Sequence, residues 1–194
     1  MTHIFRIEDR KRSPDFGKEV MRSASVLETP PMLICGMRAY TTPLVKLDAI
    51  SRQMGTEVFG KLEYTNPTGS HKDRESLKVL EDAISKGFRE VAITSTGYAA
   101  ISLAAYSLVN GVKCNVFVPS NISEEKARLI TSFRVDLHKA EGGLKAVYAE
   151  CIDFIELHGV YDVNPGRNAK KIEGDSAISA EIAAQLDARP SHVF

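Results

Sequence analysis

The chain has no excess of charge: its 25 basic and 25 acidic residues cancel. Such a balance gives no electrostatic footprint for nucleic acid or an anionic membrane surface. Cysteine is scarce. Cys35, Cys114 and Cys151 are odd in number and form no CxxC pair, which favours thiols in a reducing compartment over a disulfide framework. No apolar run is long enough to span a bilayer, and no charged-then-apolar signal stretch is found, so a cytoplasmic protein is expected. The five histidines are scattered, without the spacing of a metal site. There is no GxSxG nucleophile elbow. Gly142-Gly143 lacks the GxGxxG frame of a dinucleotide site, and Gly69-Ser70-His71-Lys72 lacks the earlier glycine of a P-loop.

What the sequence does contain is alternation. Short apolar segments at Val58–Glu63, Val91–Thr94, Cys114–Val118, Val135–His138 and Val160–Val163 read as strands. Between them lie helical patterns: Asp48–Met54, stopped by Gly55; Lys72 onward, stopped by Gly87; Ala99–Val109; a helix opened by Ser123 with Glu124 and Glu125 in its first turn; Leu144–Leu157, stopped by Gly159; and Ala177–Leu186. On the Leu144 helix, Leu144, Val147, Tyr148, Cys151 and Ile155 share one face. Strand and helix in turn predict an α/β fold: a three-layer parallel sheet with helices on both faces. Residues 1 to about 40 are broken by Pro14, Pro30 and Pro31, and Arg10-Lys11-Arg12 reads as a solvated basic run.

The stretch with chemistry in it is Asn66-Pro67-Thr68-Gly69-Ser70-His71-Lys72-Asp73-Arg74. Asn-Pro and Thr-Gly turn the chain, and Leu77, Leu80 and Ile84 then recur at helical spacing. Ser70 suits the N-cap, which puts Lys72 in the first turn, an unusual place for a lysine because the dipole there favours anions. An amine so placed is a candidate for imine chemistry with a carbonyl.

Read together, these residues resemble the lysine motif of pyridoxal-phosphate enzymes of the tryptophan-synthase-β fold, most of all the threonine synthases. Thr42-Pro43-Leu44, the strand Lys61-Leu62-Glu63 before Asn66, Asp162-Val163-Asn164-Pro165-Gly166-Arg167, Glu173-Gly174 and Glu181-Ile182-Ala183-Ala184-Gln185-Leu186 fit the same pattern. The resemblance implies that Lys72 carries pyridoxal 5′-phosphate and shuttles the substrate's α proton. It also implies that Ser95-Thr96-Gly97, with Ala99, binds the carboxylate of an amino-acid substrate. The relatives' asparagine that meets the cofactor ring oxygen is replaced here by Tyr98. Asn66 and Ser70 would support the site, and Asp73 with Arg74 would brace the lysine's helix as a structural pair. Asn164, Arg167 and Lys171 would lie near substrate, and Asp175-Ser176-Ala177 departs from the usual residues after Glu-Gly.

The expected activity is β or γ elimination or replacement on an amino acid, with cysteine or cysteate synthase and serine or threonine dehydratase as neighbouring possibilities. The expected organisation has residues 1–65 giving the N-terminal segment and first strands of a larger domain. Residues 66–158 form a complete small α/β domain, and 159–194 begin the rest of the larger one. On that reading the chain is an N-terminal fragment, lacking the glycine-rich phosphate loop. It would then act as a homo-oligomer or with a completing chain, or else be an inactive remnant associated with a full-length relative. Val160–Val163 and His192–Phe194 are expected to expose apolar edges.

Overall fold

The computed structural model describes residues 2–7, 41–186 and 188–193. Its elements run β1 (Thr2–Ile7), β2 (Leu44–Lys46), α1 (Asp48–Met54), β3 (Glu57–Leu62), a 3₁₀ turn (Glu63–Thr65), α2 (Lys72–Ser85), β4 (Glu90–Thr94), α3 (Tyr98–Val109), β5 (Lys113–Pro119), α4 (Glu124–Thr131), β6 (Asp136–Ala140), α5 (Gly143–His158), β7 (Tyr161–Asp162), α6 (Lys170–Gln185) and β8 (His192–Val193). Cys35, the prolines at 14, 30 and 31, the Arg10–Arg12 run and Phe194 lie outside the described residues.

One sheet has the order β6-β5-β4-β7 and is parallel throughout, with Val91 opposite both Cys114 and Tyr161, and Val116 opposite Leu137. Its central strands β4 and β5 are buried on both faces, whereas the outer strand β6 keeps Asp136 and Lys139 exposed; the strand period of two divides the side chains of β4 and β5 between two cores. Val91, Ile93, Cys114, Val116 and Val118 pack with Leu80 of α2, Leu103 and Tyr106 of α3, and Ile130 of α4. Ala92 and Phe117 turn the other way, onto Val147, Cys151 and Ile155 of α5. This is the three-layer α/β arrangement that the alternation predicts.

Four findings depart from the sequence reading. The second sheet, β2-β3-β1-β8, is antiparallel at every pairing. β7 is the end strand of its sheet, as expected, but the side chains of Val160, Tyr161 and Val163 are not exposed: Val160 is buried against α5, and Tyr161 and Val163 in the core on the other face. On α5, Leu144, in the first turn, is exposed although its pattern places it with Val147. Finally, α6 starts at Lys170, seven residues before the expected Ala177, and runs straight through Gly174. A Cβ at Gly174 would fall 2.5 Å from the backbone oxygen of Arg74. The glycine is therefore a contact point at which two helices approach closely, not a helix stop.

Candidate active site

The turn before α2 is held by its own side chains. Asn66 Nδ2 donates to the Glu63 carbonyl at 2.9 Å and to Glu63 Oε2 at 2.8 Å. Gly69 closes the turn onto the Asn66 carbonyl at a φ of 83°, where a side chain would be strained. Ser70 Oγ accepts the Lys72 N–H at 3.0 Å, although the N-cap position itself falls on His71, one residue later than the sequence suggests, and carries no side-chain cap bond. The Asp73 carboxylate accepts the Thr68 N–H at 2.7 Å and the Thr68 hydroxyl. Lys72 thus opens a helix whose entry is fixed on both sides.

Arg74 faces away from the turn into a buried ionic network. Its Nε and Nη2 donate to the two oxygens of Glu63 at 2.8 and 2.9 Å, and its Nη1 and Nη2 to those of Glu181 at 2.6 and 2.9 Å. Lys61 Nζ donates to Glu181, Gln185 Oε1 and the Thr42 carbonyl, each at 2.7 Å. Thr42 Oγ1 donates to Glu63 at 2.6 Å. Two cations and two carboxylates balance, so four groups removed from water keep their charges only by holding one another. Burial pushes the Lys61 amine below its usual value, and Glu181 opposes that only in part. Burial alone would raise Glu63, but hydrogen bonds from Arg74, Thr42 and Asn66 together hold it below the ordinary carboxylate range. Asp73 and Arg74 do both brace the lysine's helix, but they do so through different partners and not as a pair with each other.

Lys72 stands in the wall of a cleft of about 430 Å³, lined also by Glu75, Ala99, Pro165–Ala169, Lys171, Ile172 and Asp175. Its side chain is 28% exposed and its amine contacts Glu75 Oε1, one helical turn on; Glu75 is 3% exposed. Lys171 Nζ, from α6, lies 2.6 Å from Glu75 Oε2. Burial would lift the Glu75 carboxyl, but Lys171 and Lys72 together hold it down. Asp175 is the reverse. Burial first, then the charge of Glu75 and a hydrogen bond to it, push its carboxyl up to about 6, despite Lys72 and Lys171.

The fold brings some expected site residues together and leaves others apart. Lys72 and Ala99 both line the cleft, so the N-terminal end of α3, with its unmatched backbone amides, abuts it. Ser95 and Thr96 are half-buried and Gly97 exposed, none of them in the cleft wall; Gly97 donates its N–H to Ser95 Oγ at 3.3 Å. Tyr98 is 58% exposed. Arg167 lines the cleft while pairing with Asp162 at 2.5 Å. Asn164 is wholly buried, where its Oδ1 accepts the Thr94 N–H at 2.8 Å and ties the end of β4 to the loop after β7. Glu75 and Asn168 are cleft residues that the sequence reading does not single out. For Glu75 the signal is its position three residues beyond Lys72, on the same side of a helix.

Residues 37–194 match the family model described as pyridoxal-phosphate dependent enzyme. The threonine synthase of Bacillus sp. (strain ULM1) is 34% identical over 154 residues, which is 77% of this chain and 42% of that protein. The threonine synthase of Mycobacterium tuberculosis (strain ATCC 25618 / H37Rv) is 32% identical with the same coverage. The cysteine synthase of Dictyostelium discoideum is 34% identical over 93 residues, 46% of this chain and 25% of that one. Among solved structures, O-ureido-L-serine synthase matches with a TM-score of 0.68 at 24% identity, covering 78% of this chain and 50% of that one. The serine racemase of Dictyostelium discoideum matches with a TM-score of 0.68 at 22% identity, covering 90% and 53%. These structural likenesses bear on the fold alone. The chain spans less than half the length of the threonine synthases it matches.

Proposed function

The chain belongs to the pyridoxal-phosphate dependent enzyme family, and from that premise we propose that it serves an enzyme of the threonine-synthase kind. The reaction is elimination or replacement at the β or γ carbon of an amino acid, with Lys72 as the cofactor lysine. The observation that carries this reading is the partly exposed Lys72 side chain in the wall of the 430 Å³ cleft. The residues present fit the cofactor. A primary amine is offered at the surface of a cavity within the ~300–1,000 Å³ range of small-molecule sites, and the surrounding cations Lys171 and Arg167 suit an anionic ligand.

When bound, pyridoxal phosphate supplies an electron sink for negative charge developing at the substrate's α carbon. Lys72 would hold the cofactor through its amine, and as a free amine it would serve as the general base for the α proton. Glu75 is the carboxylate placed to receive a proton from the amine. Ser95, Thr96, Gly97 and Ala99 would take the substrate carboxylate at the N-terminal end of α3, where backbone amides and the helix dipole favour an anion; of the four, Ala99 lines the cleft and the other three lie outside its wall. Tyr98, where the relatives carry the amide that meets the cofactor ring, is a longer side chain with a single donor and is exposed beside the cleft, outside its wall.

The test is the visible absorption that develops when pyridoxal phosphate is added to the protein. It is expected once a completing chain supplies the phosphate site, and abolished in Lys72→Ala. An undiminished band in that variant would remove Lys72 from its role.

A further inference from the structure

Along the seam of α2 and α6, four charged side chains alternate in sign: Lys72, Glu75, Lys171 and Asp175. Both oxygens of Glu75 are engaged, Oε1 by the Lys72 amine and Oε2 by that of Lys171 at 2.6 Å. A carboxylate so enclosed, 3% exposed, is poorly placed to give up to water a proton received from Lys72. Asp175 is the next acceptor. A carboxylate oxygen of Asp175 lies within 4.8 Å of one of Glu75, Asp175 lines the cleft, and its Oδ1 is buried with no hydrogen-bond partner.

We infer that Asp175, acting through Glu75, is a positioning residue that carries protons between the Lys72 amine and the cleft. The inference rests on Lys72 being the cofactor lysine. In the forward direction an N–H bond of the Lys72 ammonium breaks and an O–H bond forms on Glu75. Glu75 passes a proton to the Asp175 carboxylate, which releases it to cleft water. The amine keeps its electron pair, free to attack a carbonyl carbon, and no oxidant or reductant enters. Reversed, the same path reprotonates the amine when it leaves the cofactor. The groups facing Asp175 are Glu75, Lys72 and His71 from the start of α2 and Lys171 from its own helix. His71, Glu75 and Asp175 place ring-nitrogen and carboxylate atoms within 4.8 Å of one another, so His71 is the competing source of any titration near neutrality.

The experiment uses the full chain with pyridoxal phosphate as the probe. Samples are quenched with borohydride at intervals, and the modified Lys72 peptide is quantified by mass spectrometry from pH 5 to pH 8. Asp175 accepts a proton only when ionised, and its carboxyl sits at about 6. The wild-type rate should therefore show a step upward as pH rises through 6. Asp175→Asn should lose that step and react roughly ten-fold more slowly at pH 7, a modest effect for a proton-transfer group. Asp175→Glu should recover both, and His71→Gln should retain the step. An unchanged profile in Asp175→Asn, a uniform slowing at every pH, or loss of the step in His71→Gln overturns the relay while Lys72 is still modified. Absence of Lys72 modification in the wild type instead overturns the proposed function, and the relay with it.

Discussion

Gly174 offers the sharpest test of how the site is assembled. In a helix interior, alanine is favoured over glycine by about 1 kcal/mol, so on propensity alone Gly174→Ala should stabilise the protein. The structure argues the opposite. The added Cβ would lie 2.5 Å from the Arg74 oxygen, 2.7 Å from the Arg74 carbonyl carbon and 2.8 Å from the Glu75 Cα. All three are backbone atoms of α2, which no side-chain rotation can clear. Restoring ordinary contact of about 3.5 Å requires α6 to retreat by close to 1 Å. That retreat would stretch the Arg74–Glu181 and Lys171–Glu75 pairs, both now at 2.6 Å. Overpacking of this kind costs about 1–3 kcal/mol, and loosening partly buried ion pairs takes it to the upper end. Against the propensity gain, a net loss of about 2 kcal/mol remains. For a chain of this length that corresponds to a fall in Tm of about 4–8 °C. Denaturant titration and a thermal melt measure it. Stability equal to or above wild type would show that the α2–α6 approach is not as close as described.

Three further outcomes follow from the buried charges. Arg74→Ala leaves Glu63 and Glu181 buried without their shared cation, and should cost about 3–5 kcal/mol; a loss below 1 kcal/mol in urea unfolding would contradict the network. Asp175→Asn should change stability with pH in a set direction. The folded Asp175 carboxyl, raised to about 6 by burial and by Glu75, lies above its unfolded value near ~3.9, so the native state's preference for the proton is fully present below about 4 and lost as pH rises through 6. The variant should therefore exceed wild type by about 1–2 kcal/mol at pH 7, discounted for partial solvent screening, with the gap closing by pH 4. An equal gap at both pH values would be against it. Glu63, held low, works the other way: the stability it lends is present above its unfolded value and lost as pH falls through its folded one. Glu63→Gln should thus flatten the acid side of the stability profile, which melts between pH 2 and pH 5 would record.

The parallel sheet was legible because its physics is local. Each strand is a short apolar run between turn residues, and Gly55 and Gly159 end their helices in the left-handed conformation that marks a C-cap. Lys72 was legible through the turn before it, where Asn66, Gly69 and Ser70 act within a few residues of one another. The antiparallel sheet was not. β3 pairs with β1 across some fifty residues of chain, and no neighbouring residue encodes the direction of so distant a partner. The early start of α6 at Lys170 was not legible for a related reason: a glycine such as Gly174 weakens a helical reading unless the backbone that presses against it is known. Asp175 and Glu75 stand 100 positions apart in sequence, so their contact had no local signature. Asp175 was visible only as a departure from a resemblance.

The two charged clusters are therefore one construction. From α6, Lys171 and Asp175 are four residues apart, and so are Glu181 and Gln185, which sets each pair on a single face of the helix. The first pair reaches Glu75 and the cleft, the second Lys61 and Arg74. Gly174, just before Asp175, lies where α6 meets the α2 backbone at Arg74 and Glu75. On α2 the consecutive residues Arg74 and Glu75 point to different ends of that face, one into the network and one to the Lys72 amine. The position of α6 against α2 is consequently shared by both clusters. A perturbation that moves it, whether at Gly174 or at Glu181, must change the surroundings of the Lys72 amine even though neither residue touches the cleft. Gly174→Ala should accordingly lower the rate at which pyridoxal phosphate modifies Lys72, under conditions where the variant is still folded. A wild-type rate in a folded but destabilised Gly174→Ala protein would separate the two clusters and refute their coupling.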